Sequence, residues 1–365
     1  MSSGKINFRN TNLFLVFILP VIFLFFGLKK QSEIHEKLMV QGVGIDFLED
    51  KYKVTVQAYD FKNPQSKEEP KIKIVESENE TISGALQNLK QITGLSPLYS
   101  QNKIIIISEE ISKKGIKNAI DFFLRFYENR PSVRLRISKG SAGEILKLKT
   151  DGKILKSSEI KDLVDEKFDT KILDFEKELE SDSPSSVLFL IEKGENDQIR
   201  CENVSLFRNS KLVRELTNEE TLGVKILKGF QKIGLCNIKM DEGFISLLIE
   251  DVKTKINAKT VNDEIEFEID IKLSCDLMET TKTFKNTKDM ISSIKEIFDK
   301  YIKVICEKTI EVCNLEKCDI FKFRKILRNK NFNLFKKIKS EDFLSNAKYN
   351  VSVDSKIVMI GIENK

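Results

Sequence analysis

The chain has 365 residues, room for two or three domains of about 150 residues each, and its Lys+Arg 61 against Asp+Glu 56 leave a net charge of +5. It holds one histidine and no tryptophan, which excludes metal sites built on several imidazoles and relays that need two of them. Catalysis would have to rest on carboxylates, Lys, Ser or Cys, so composition alone disfavours an enzyme.

In chain order, the first feature is a run from Asn10 to Leu28 without a charge, almost wholly apolar from Leu13 onward, with Lys5 and Arg9 before it and Lys29 and Lys30 after it. As a helix from Leu13 it would reach about 24 Å against a hydrocarbon core of about 30 Å. Phe25-Phe26-Gly27 offers no small-residue cleavage site. An uncleaved signal-anchor over 1–28 is therefore expected. Basic residues at both ends leave its orientation open.

Alternation from Tyr52 to Ala58, after Glu49-Asp50-Lys51, predicts a hairpin. Pro64 and Pro70 mark a loop over 62–70, and Ile72 and Ile74 a short strand. Ile82, Leu86, Leu89 and Ile92 fall on one face of a helix from Thr81 to Thr93, which Gly94 stops. Lys103 to Ile107 is a continuous apolar run, expected as an interior strand. Ser108, with Glu109 and Glu110 behind it, is placed to cap a helix running to about Glu128. Val133, Leu135 and Ile137 form another strand, and Ser141 to Glu144 has capping-box spacing.

Residues 154–180 are expected to be helical and highly charged, with a linker-like stretch from Ser181 to Ser186. Strands follow at Val187–Ile191, Val204–Phe207, Ile245–Ile249 and Ile265–Leu273. The longest helix covers 288–313, with Ile291, Ile294, Phe298, Ile305 and Ile310 in its apolar stripe, and Lys348–Ile362 closes the chain as a strand. The fold class is α+β, with mixed, largely antiparallel sheets and packed helices in two to three domains after the anchor. The expected division is 1–28, 29–200 and 201–365.

Few motifs carry chemistry. Gly42-Val-Gly44-Ile-Asp46 has the first glycines of a dinucleotide fingerprint but is followed by a strand rather than a helix, so glycines easing a strand are expected instead. Gly229 to Gly234 has the glycine spacing of a phosphate-binding loop, but Leu235-Cys236 replaces the required Lys-Ser/Thr pair. The six cysteines form no C-x-x-C; Cys306 and Cys313 share a helix face and are expected to be buried. His35 sits in a charged spacer. Lys and Glu interleave without a basic stripe, so no nucleic-acid partner is expected.

From Gly27 onward the chain resembles the opening of the Ger(x)C family, the C subunits of GerA-type nutrient germinant receptors of endospore-forming bacteria. Glu33, Ile34, Gly42, Gly44, Ile45, Asp46, Tyr52, Val54, Thr55, Val56 and Gln57 fall in register with G-x-G-I-D and Y-x-V-T-V-Q. A second block is similar through Thr93, Gly94, Lys103, Glu109, Glu110, Gly115, Phe122, Phe123, Arg125 and Arg130. A third follows through Phe207, Leu212, Leu216, Glu219, Glu220, Gly223 and Gly229. Family members are usually lipoproteins, but Leu28 stands at the usual cysteine position, and a thioether cannot form without a thiol.

The resemblance implies a non-catalytic C subunit beside polytopic A- and B-type subunits in the spore inner membrane, with the bulk of the chain on the extracytoplasmic side. It implies no catalytic residue; the single histidine, the absence of C-x-x-C and the incomplete glycine motifs lead to no expected metal or cofactor. Two alternatives make distinct demands. A membrane-anchored solute-binding module should show a deep cleft between lobes with converging polar groups. A cell-wall hydrolase should face two carboxylates across a groove.

Overall fold

The computed structural model describes residues 36–60, 71–126, 130–148, 155–164, 169–240, 243–261, 264–281, 287–337 and 343–359. The expected anchor, Leu28, His35 and the loop over 62–70 lie outside them. No helix of the described residues is long and apolar enough to cross a membrane.

The first sheet opens with a hairpin of β1 (Lys37–Leu48) and β2 (Lys51–Asp60), joined through Glu49 and Asp50, which both take positive φ (48° and 61°) as a two-residue primed turn requires. The strand expected around Ile72 is longer, β3 (Lys71–Asn79), and lies at the sheet edge beside β2. Helix α1 (Ile82–Thr93) is capped by the Thr81 side chain and ends at Gly94, left-handed at φ 70°. Its buried face holds Ile82, Ala85, Leu86, Leu89 and Thr93, which rotates the expected stripe and leaves Ile92 57% exposed.

The short β4 (Ser96–Leu98) pairs with β1, and β5 (Ile104–Ser108), buried throughout, lies between β1 and β6 (Arg134–Ser138). The helix expected from Ser108 to Glu128 is instead two, α2 (Glu109–Lys114) and α3 (Lys117–Arg125). Gly115 causes the break at φ 125°: its N–H closes α2 on the Ile111 carbonyl, while the next N–H, of Ile116, turns to the Ser210 carbonyl at 2.9 Å. The Ser108 side chain makes no cap bond.

Helix α4 (Ala142–Lys147) is capped by Ser141 as its spacing predicts. The long charged helix expected over 154–180 is two short ones, α5 (Lys156–Asp162) and α6 (Ile172–Leu179). Ser181–Ser186 runs directly into β7 (Ser185–Lys193), followed by β8 (Ile199–Arg200), β9 (Val204–Arg208) and β10 (Lys211–Glu215). The strand order is β10-β9-β7-β6-β5-β1-β2-β3, with β4 beside β1 and β8 beside β7. Residue 200 thus lies within this sheet. Strands β1, β5, β6 and β7 are mutually parallel, a centre that the hairpin signals in the sequence did not announce.

The second layer begins with α7 (Asn218–Leu227), held by a complete capping box of Thr217 and Glu220. A four-stranded sheet follows, β11 (Gly234–Lys239), β12 (Phe244–Val261), β13 (Glu264–Thr280) and β14 (Lys348–Met359). Phe267, Ile269, Ile271, Leu273 and Cys275 bury one face of β13 against α8 (Thr287–Leu315), whose Ile294, Phe298, Ile302, Ile305 and Ile310 are buried in turn. Short helices α9 (Phe323–Lys330), α10 (Phe332–Lys337) and α11 (Phe343–Asn346) return the chain so that β14 joins parallel to β13. Cys306 and Cys313 are buried, as expected for small apolar groups. The architecture is α+β with mixed sheets and packed helices.

Gly223 lets α7 and α8 approach: a Cβ there would stand 2.8 Å from the Thr309 Cβ. Gly223→Ala is expected to destabilise by about 1–3 kcal/mol through overpacking. Adding Thr309→Ala should return part of that loss in a urea-denaturation cycle, whereas simple additivity would refute the contact.

Candidate functional site

Gly42, Gly44, Asp46 and Gln57 converge on one place. A Cβ at Gly42 would lie 2.6 Å from the Ser157 Cβ, and one at Gly44 2.9 Å from the Ala142 carbonyl. The absent side chains therefore let α4 and α5 rest on the sheet. Asp46 receives the Ser141 hydroxyl at 2.9 Å and the N–H groups of Ala142 and Gly143 at 2.7 and 2.9 Å, which ties the α4 N-terminus to β1. Gln57 donates to the Leu146 carbonyl at 3.1 Å and accepts from Ser157 N at 2.8 Å, bridging the end of α4 to the start of α5. These residues clamp two helices; their polar atoms are spent on backbone groups and on the Ser141 hydroxyl.

The other singled-out residues do not join them. Gly94, Gly115 and Gly223 serve helix ends and helix packing. Glu109 pairs with Lys113 on the surface of α2, and Arg125, 80% exposed at its side chain, pairs with Asp121 at 2.8 Å. Arg130 is exposed, its carbonyl accepting from Val133 N.

A concavity does form where α6 and the start of β7 face α9. It has a volume of about 600 Å³. One wall carries Asp174, Glu178 and Asp182; the other carries Lys322, Lys325 and Arg328, with Lys228, Asp169 and Asp319 between. Glu178 is shared by Lys322 at 3.6 Å and Lys228 at 3.9 Å, and Arg328 pairs with Asp182. Asp169 is held by the fully buried Arg136 and, at 3.4 Å, by Arg134. The cleft is lined by opposed charges drawn from both sheets' helices.

Asp319 is buried yet caps α9, accepting from Phe323 N at 2.7 Å and Arg324 N at 2.9 Å. Burial pushes its carboxyl up to about 6, against the pull of those two N–H groups. The folded state then binds this proton more tightly than the unfolded chain, so this group's contribution to stability falls as pH rises from about 4 through 6. Between pH 5 and 7.5 the wild type should lose on the order of 1 kcal/mol that Asp319→Asn does not lose. Parallel urea titrations of the two proteins at both pH values would show this as a difference in slope. Equal losses would refute the shift.

The chemistry available here is charge recognition. Burial pushes the Cys236 thiol up to about 11 and the Cys275 thiol up to about 12, and raises Cys201, so none of these is an activated nucleophile. No group of His, Cys, Asp and Glu that could hold a metal occurs among the described residues. A cleft between lobes is what the solute-binding alternative demands. Sequence reasoning missed its residues, although one signal was present: from Ile320 to Ser340 there is no acidic residue, while Lys322, Arg324, Lys325, Arg328, Lys330, Lys336 and Lys337 are all basic. The expectation of interleaved charge throughout is corrected for that stretch.

Comparison with known proteins covers nearly the whole chain. The family model described as the spore germination protein N-terminal domain matches residues 30–193, and the one described as spore germination B3/GerAC like, C-terminal, matches residues 202–361. The solved structure of the GerBC protein is similar at 20% identity and a TM-score of 0.60, covering 87% of this chain and 97% of that one. No curated protein matches significantly.

Proposed function

The chain belongs to the Ger(x)C family of spore germination proteins, and from that premise we propose that it is the non-catalytic C subunit of a spore germinant receptor. It would be tethered by its N-terminal segment (1–28) to the spore inner membrane, with its two domains on the extracytoplasmic side. Its partners would be two polytopic A- and B-type subunits. The observation that carries this is the pair of family models in consecutive order across both sheets. The site supports it: the family-motif residues clamp helices, and the cleft offers charge without an activated nucleophile. A subunit of this kind acts by docking, and a nutrient signal would pass through it as a population shift between docked states.

Spore inner-membrane fractionation tests the proposal, with the two polytopic partners expected to co-purify. Recovery of the protein from vegetative cytosol, or from spore membrane free of both partners, would sink it. The solute-binding alternative has the cleft in its favour. It would be preferred if the isolated protein gained thermal stability from a small charged solute and Lys228→Ala removed that gain, with no co-purifying subunit.

A further inference from the structure

We propose that the basic face of α9 and α10 is a membrane-contact surface that takes anionic lipid headgroups; this rests on the tethered reading above. Lys325, Lys330 and Lys336 are exposed on these helices, and Phe332 between them is 54% exposed. Phe332 stacks on Phe335, and the Lys336 ammonium lies 4.7 Å from its ring centroid. An exposed aromatic with exposed lysines before and after it in the chain is the composition that enters a headgroup layer, with the ring at the acyl boundary and the ammonium groups on phosphates. Of the acids that share the cleft with Lys325, Glu178 is engaged by Lys322 and Lys228 and Asp182 by Arg328, while Asp174 and Glu180 also line it.

Topology puts this face toward the bilayer. Gly42 of β1 lies opposite Ile104 of β5, and Ile104 opposite Arg134 of β6; Ile137 lies opposite Leu190 of β7, so Arg134 is level with Val187. Counting back, Ser185 stands close to the level of Val40. Asp182, just before Ser185, holds Arg328 of α9. The helix pair therefore sits at the end of the sheet where the chain enters β1 at Lys37. From Leu28 to that point the spacer can stretch at most about 30 Å. A tether ending at Leu28 brings this end, and α9 and α10 with it, to the membrane.

The missing tryptophan supplies the test. Full-length Phe332→Trp would be the single indole of the chain, and Leu48→Trp, at the opposite end of β1, is the control. Each is reconstituted with vesicles of phosphatidylcholine alone or mixed with phosphatidylglycerol, carrying brominated acyl chains. Quenching is expected for Phe332→Trp on the anionic vesicles, falling in 0.5 M salt as headgroup attraction is screened (~3 Å Debye length at 1 M), and absent for Leu48→Trp. Converting Lys325, Lys330 and Lys336 to Gln should weaken the contact about 100-fold, at about 1 kcal/mol per lysine. Unchanged circular dichroism would certify that this variant is folded. Quenching that ignores lipid charge, or no quenching at all, overturns the proposal. Phe23→Trp separates the two levels: quenched in every vesicle, it upholds the tether whatever Phe332→Trp does. Unquenched, it removes the tether, and Phe332→Trp alone then decides whether the lysine face binds anionic lipid.

Discussion

Asp46→Ala is expected to cost about 3–5 kcal/mol of folding stability. The carboxylate accepts from the Ser141 hydroxyl and from the Ala142 and Gly143 N–H groups, and both N–H bonds are buried. Each buried donor left without a partner costs about 1–3 kcal/mol, and the anion at a helix N-terminus adds to that. Water cannot readily fill the place, because Gly44 already brings the α4 backbone within 2.9 Å of where a Cβ would stand. Asp46→Asn keeps one acceptor oxygen and should cost less than half as much. Gly44→Ala presses on backbone rather than on a flexible side chain, so it should approach the loss of Asp46→Ala. Urea denaturation of the three variants gives the order. If Asp46→Ala unfolds like the wild type but spores carrying it fail to germinate, Asp46 acts in signalling and the clamp is not its role.

The sequence was most legible where one local cause decides the outcome. The Glu49-Asp50 turn, the Ser141 cap and the stop at Gly94 stand where their residue types place them, because each is settled within about four residues, whereas Ser108 precedes α2 without a cap bond. It was least legible where distant segments decide. Ile92 loses its expected burial because the packed face runs through Ala85 and Thr93 instead, and apolar spacing alone cannot rank the two faces. The break at Gly115 depends on a hydrogen bond to Ser210, almost a hundred residues away. The parallel centre of the first sheet follows from pairing order, which strand patterns do not encode. Gly42 and Gly44 were expected to ease a strand, and they do more: they make room for two helices. The cleft was invisible because its two walls, around Glu178 and Arg328, lie some 150 residues apart. Its basic wall was nevertheless written plainly as an acid-free run from Ile320 to Ser340.

Asp169→Ala is the second large loss expected, about 3–5 kcal/mol, since it strands a charge that cannot reach water. Arg136 is fully buried, packed 5.2 Å over the Phe189 ring, with one nitrogen on Asp169 and the Leu135 carbonyl. Removing the carboxylate leaves that guanidinium uncompensated in an apolar setting. Replacing both partners is a different experiment. Asp169→Leu with Arg136→Met removes the charges together and should recover most of the stability, because the pair's mutual attraction mainly offsets its own desolvation. Arg134, 3.4 Å from Asp169 and nearly buried, would keep the recovery incomplete, and adding Arg134→Met should close the gap. A double variant as unstable as Asp169→Ala would show instead that the ion pair is net stabilising here. The same proteins then bear on function, since Asp169 lines the cleft between the two sheets. A stable, apolar triple variant that still supports germination would assign the cluster to folding alone. One that folds but no longer germinates would mean that charge at the base of the cleft, and not merely its shape, is what the receptor uses.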